Sequence, residues 1–186
     1  MNLEERSISS EQVYDGALLD VRKDRVRLPN GHESDREWIK HPGAAAVVAV
    51  DDRRRVILVR QFRFGPRREF CEVPAGKLDA GGEDPLEAAK RELAEEVGLT
   101  ASRWDRLGVT FPAIGYSDEQ IALFLARDLE DVEVDVDDDE FVDPFWLALE
   151  DAAATARAGE IEDAKTCVAL LLAASALEGE ERLHGG

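Results

Sequence analysis

The stretch "DPLEAAKRELAEEVG", Asp84 to Gly98, is punctuated as a helix at both ends. Asp84 reads as the N-cap, Pro85 as the first helical residue, and Glu87 stands three residues past the cap, the spacing of a capping box. Gly98 is a natural C-terminal breaker. Within the helix, Leu86, Ala89, Leu93 and Val97 share a core-facing side. Glu92 and Glu96, four apart, lie one above the other on one face, with Glu95 at its edge. Like charges at this spacing repel by about 0.2–0.5 kcal/mol per pair unless a cation sits between them. A hard divalent ion such as Mg2+ takes oxygen ligands and turns that penalty into a site. The bland alternative is a wet face rich in Glu, with Arg91 paired to Glu87 or Glu95.

The flanks of this helix are β-rich. Ala17 to Leu28 and Glu33 to Lys40 read as extended around "PNGH", and Asn30-Gly31 tolerates the positive φ of a tight turn, so a first hairpin is expected. "AAAVVAVDDRRRVILVRQF" reads as two β-branched runs around a polar turn, which predicts a second hairpin of buried strands with the Arg triplet solvated. Strands are also expected at 107–111, 120–126, 132–136 and 141–146, and helices at 150–158 and 163–178. The sum is an α/β (α+β) fold: a mixed sheet with helices on its faces, preceded by a small antiparallel β extension. The domain reading is an extension over residues 1–42 and a main domain over 43–186.

Composition removes several function classes. A formal charge of -18 argues against nucleic acid and anionic membrane as partners, since both need a basic surface. Charge is near balance up to residue 80, and the acidic excess follows it. Cys71 and Cys167 are far apart, without CxxC spacing, so neither a disulfide framework nor a zinc cluster is suggested. "VALLLAASAL" is too short to span a bilayer, and "MNLEERSISSEQVYDG" lacks the pattern of a signal peptide. A soluble, cytoplasmic protein is the expectation.

The helix extends into a longer pattern. Glu83, seven residues, then Arg91, Glu92, Leu93, Glu95, Glu96, Gly98 and Leu99 resembles the Nudix box of Nudix hydrolases; Gly76 precedes Glu83 by six residues rather than five, an insertion in a loop with Gly81-Gly82 at its tip. The resemblance implies the Nudix fold, a mixed sheet sandwiched between helices. It also implies Mg2+, with Mn2+ as substitute, held by Glu92, Glu96 and a backbone carbonyl at Ala75, with Glu95 close by and Arg91 holding the carboxylates through ion pairs. "SDREWIKHPGAAAVV", "LVRQFR", "EVPAGKLD", "IGYSDE" and "GEIEDAKT" resemble the ADP-ribose pyrophosphatase branch. That branch implies hydrolysis of a nucleoside diphosphate sugar, foremost ADP-ribose to AMP and ribose 5-phosphate. The other readings are a GDP- or UDP-hexose hydrolase, or a non-catalytic nucleotide-sugar sensor.

By the same resemblance the chain is a homodimer whose N-terminal strands help build the interface. Arg63 falls to the diphosphate or terminal ribose, Arg36 to the neighbouring subunit's nucleotide, and Glu119, in "IGYSDE", to the substrate. The general base falls on an acidic loop: Asp128 to Asp143 holds ten acidic residues, and Glu140 is the choice, with Asp139 its rival.

Overall fold

The computed structural model describes residues 2–79, 82–133 and 141–184. The strands are β1 (Arg6–Asp15), β2 (Asp20–Arg27), β3 (Glu33–Lys40), β4 (Ala44–Ala49), β5 (Arg55–Arg63), β6 (Arg68–Glu72) and β7 (Ala75–Lys77). Helix α1 (Pro85–Val97), β8 (Leu99–Thr110), β9 (Ile121–Asp131), β10 (Val142–Ala148), α2 (Leu149–Arg157) and α3 (Ala164–His184) follow. The chain divides into two compact units, residues 1–42 with 111–120, and residues 43–110 with 121–186.

The first unit is an antiparallel sheet in the order β1-β2-β3. The turn between β2 and β3 closes with the Gly31 N–H donating to the Leu28 carbonyl at 2.9 Å, and Gly31 takes a φ of 87°, which only glycine adopts at no cost. Opposite charges face each other across the strands: Arg25 pairs with Glu33 and Asp35, and Arg27 with Glu33. Residues 111–120 join this sheet through the end of β3, where the Ile39 N–H donates to the Tyr116 carbonyl at 2.8 Å. β1 is exposed along its whole length. With neither face buried it carries no alternating pattern, which is why sequence reading passed over it.

The second unit is built around β4. Its run of Ala and Val is buried at every position and alternates between two cores. Ala44, Ala46 and Val48 pack with Leu170 and Ala173 of α3 and Leu149 and Ala152 of α2; Ala45, Val47 and Ala49 pack with Ala88, Ala89 and Leu93 of α1. The mixed sheet β7-β4-β9-β8, in which β4 and β9 run parallel, is thus covered on both faces. A second sheet has the order β10-β5-β6.

The expected second hairpin therefore does not form. One antiparallel bridge, Val50 to Val56, closes the turn, and β4 and β5 lie in different sheets. Both edges of each strand are taken by other partners, β7 and β9 for β4, β10 and β6 for β5. The Arg triplet is also more than a solvated turn: Arg54 pairs with Glu150, and Arg55 pairs with Asp51 and lies over the Trp146 ring. No strand forms at 132–133, and the rest of that expected strand, 134–136, lies outside the described residues. Among the described residues no helix is long and apolar enough to cross a membrane.

Candidate active site

α1 begins and ends where its punctuation placed it. The Asp84 carboxylate accepts the Leu86 N–H, and Gly98 caps the far end at φ 65°, ψ 33°. Glu87 pairs with Lys90 on the exposed side. The buried row Ala89–Leu93 anchors the helix on the β4–β9 side of the sheet, and burying a Leu side chain contributes about 1.5–3 kcal/mol. The neighbouring row, Ala88–Glu92–Glu96, is buried too, so two carboxylates are carried below the surface at 6 % and 7 % exposure. Such burial is costly unless the charges are paired or bind a cation.

The loop from Glu72 to Gly76 closes over this row. The Ala75 N–H donates to Glu96 Oε2 at 3.1 Å. Gly76 lies directly against Glu92: a Cβ built there would overlap the carboxylate, so any side chain at this position would displace it. The next turn is gathered by Arg91. Its Nη1 donates to Glu92 Oε1 at 2.7 Å and to Glu95 Oε2 at 2.9 Å, its Nε and Nη2 reach Glu83 at 3.2 Å, and Nη2 also reaches the Lys77 carbonyl at 3.1 Å. Hydrogen bonds from Arg91 and from the Asp79 N–H hold Glu83 below the usual carboxylate range.

Arg63 is engaged with Glu72, its Nε and Nη2 donating to the two carboxylate oxygens at 2.7 Å each. Glu72 is 3 % exposed. Burial pushes its pKa up, but the Arg63 hydrogen bonds and the Lys165 charge outweigh burial and hold it below the ordinary value. Lys165 donates to the same carboxylate and also to Asp163 at 3.0 Å. Glu72 lies in "EVPAGKLD", and Lys165 and Thr166 lie in "GEIEDAKT", but the sequence alone assigns these three residues no role. The available signal was Glu72 itself, a single acid between Cys71 and Val73 at the end of a strand, which needs a cation if it is buried.

The other expected residues lie elsewhere. Arg36 and Glu119 belong to the first unit. Arg36 pairs with the Glu5 carboxylate at 2.5 Å, and Glu119 stands 3.9 Å from the His41 ring. Glu140 and Asp139 lie outside the described residues. Among the described residues no three His, Cys, Asp or Glu side chains converge as a ready metal set. What does converge is a pair of buried carboxylates and a glycine-lined backbone approach, a donor set of oxygens that suits a hard divalent ion.

Comparison with known proteins shows the family. Residues 40–168 match the model of the NUDIX domain. This chain is a member of the Nudix hydrolase family. Residues 5–39 match the nucleoside diphosphate sugar hydrolase N-terminal domain. The Nudix chain is 43% identical to an ADP-ribose pyrophosphatase of Bacillus subtilis (strain 168), over 91% of this chain and 92% of that one. It is 41% identical to an ADP-ribose pyrophosphatase of Mycobacterium tuberculosis (strain ATCC 25618 / H37Rv), over 83% and 76% respectively. A solved structure described as an ADP compounds hydrolase superposes with a TM-score of 0.84 at 25% identity, covering 98% of this chain and 99% of that one. Nudix hydrolases work with divalent metal ions.

Proposed function

We propose that this Nudix hydrolase cleaves the diphosphate of a nucleoside diphosphate sugar, ADP-ribose foremost, and that Mg2+ is its metal, with Mn2+ as substitute. The observation that carries the reading is the buried Glu92 and Glu96 pair against Gly76, closed by Arg91. The choice of ADP-ribose is supported by the relatives named ADP-ribose pyrophosphatase and by the match of residues 5–39. In this reading Glu92, Glu96 and the Ala75 carbonyl hold the metal, which supplies charge neutralisation of the diphosphate and acidification of water. Arg91 keeps Glu92 and Glu95 oriented, and Arg63 binds the diphosphate through N–H groups outside its grip on Glu72. Glu140 takes a proton from the attacking water; one P–O bond of the diphosphate breaks, and AMP and ribose 5-phosphate leave. A homodimer, with Arg36 and Glu119 reaching the substrate, belongs to this reading, because β1, exposed along its whole length, gains from burial against a second copy.

The test is hydrolysis of ADP-ribose, a UDP-hexose and a GDP-hexose, each with and without Mg2+, together with sedimentation of the active protein. Preference for ADP-ribose is expected. Preference for a hexose would reassign the substrate, tight binding without turnover would make the protein a sensor, and full activity as a monomer would remove the dimer.

A further inference from the structure

We propose that Lys165 is a positioning residue for Arg63, acting through Glu72, and that the start of α3 thereby sets the diphosphate-binding arginine. This rests on the functional reading above, in which Arg63 meets the diphosphate. The geometry begins in the β5–β6 register. Val59 pairs with Glu72, and residues 59, 61 and 63 share one face of β5, so Glu72 and Arg63 lie on the same side of the sheet. Arg63 reaches back along its strand and grips both Glu72 oxygens through Nε and Nη2, which leaves Nη1 outside that grip. The Arg63 side chain keeps 44 % exposure while Glu72 keeps almost none. An exposed guanidinium gripping a buried acid is oriented by that acid.

Something must in turn hold Glu72, and α3 does so with consecutive residues. Lys165 donates to Glu72, and the fully buried Thr166 hydroxyl accepts the Val73 N–H at 2.9 Å. Asp163 fixes both, accepting from Lys165 and from the Thr166 N–H at 3.0 Å each. The residues that follow are tied as well: the Pro74 carbonyl accepts from the Val47 N–H, and the Ala75 N–H donates to Glu96. Glu72 is thus held from two sides, by Arg63 of β5 and by Lys165 of α3. With Lys165 removed, Glu72 keeps one partner and its rotamer is no longer determined, so Arg63 loses its fixed aim while the loop, still held by Thr166, keeps its path.

A double-mutant cycle on the full-length protein tests this, with Lys165→Met, Arg63→Lys and both together. Two quantities are read in Mg2+: ADP-ribose hydrolysis, and calorimetric affinity for inorganic pyrophosphate, which needs no turnover. Lys165→Met is expected to cost about tenfold in kcat/KM and in pyrophosphate affinity, the scale of coupling within one hydrogen-bond network. It should cost little or nothing further once Arg63 is Lys, and Mg2+ affinity should stay at the wild-type value. Equal losses in both backgrounds, or wild-type behaviour of Lys165→Met, would overturn the proposal. If Lys165→Met does not fold, Lys165→Ala, which also removes the donor to Glu72, takes its place with the same expectation; failure of both to fold shows a structural lysine and also overturns it. A wild-type protein that hydrolyses no nucleoside diphosphate sugar defeats the functional reading instead, and the pyrophosphate arm still decides the coupling.

Discussion

Gly76 and Glu92 occupy each other's space: the carboxylate of the helix lies where a side chain on the loop would begin. Loop and helix are thereby matched to one another at the level of single atoms, and the match has a direct consequence for substitution. Gly76→Ala should fold, because the group in the way is the mobile end of a Glu side chain. It should push that carboxylate aside and lower turnover by about a hundredfold, the cost of a misplacement near 1 Å. Metal titration should show weakened Mg2+ affinity, and a variant with wild-type affinity and turnover would separate Glu92 from the metal.

Glu96→Gln is expected to remove most of the turnover and leave the fold intact. The amide oxygen still accepts the Ala75 N–H, and one like-charge repulsion with Glu92 disappears, about 0.2–0.5 kcal/mol. Without metal the melting temperature should therefore be unchanged or higher by about 1–2 °C. Wild-type turnover at saturating Mg2+ would contradict the assignment.

The helix and its carboxylates were legible because their signals are local: a cap, a breaker and a spacing of four. The Ala/Val run of β4 also announced a buried strand. What sequence reading did not reach was made by contacts far apart in the chain. Lys165 meets Glu72 across 93 residues, and Arg36 meets Glu5 across 31. The divergence of β4 and β5 is of the same kind, since it depends on which strands arrive later to take their edges.

Acid should weaken the fold in part through Glu72. Its folded-state value is depressed, so its contribution is full above the ordinary value of 4.5 and is lost as pH falls from there through the lower folded value. Glu72→Gln does not titrate. The gap in melting temperature between wild type and this variant should be widest at neutral pH and narrow as pH falls below about 4.5. A gap that stays constant as pH falls would show that the Glu72 charge adds nothing.

Glu140→Gln should lower kcat by about 10²- to 10⁴-fold with little change in KM, because a base acts mainly in the transition state. Mg2+ binding to the free enzyme should survive, since Glu92 and Glu96 remain. A loss below tenfold would turn attention to Asp139→Asn.

The central claim is that Glu92 and Glu96 assemble a metal-dependent hydrolase of the diphosphate bond. It is tested most directly by 31P NMR of ADP-ribose incubated with the wild-type protein, with Mg2+ and with a chelator. The account predicts that the diphosphate resonances convert into two monophosphate resonances in Mg2+, those of AMP and ribose 5-phosphate, and persist in chelator. Persistence of the diphosphate in both samples, or its equal loss in both, would contradict it.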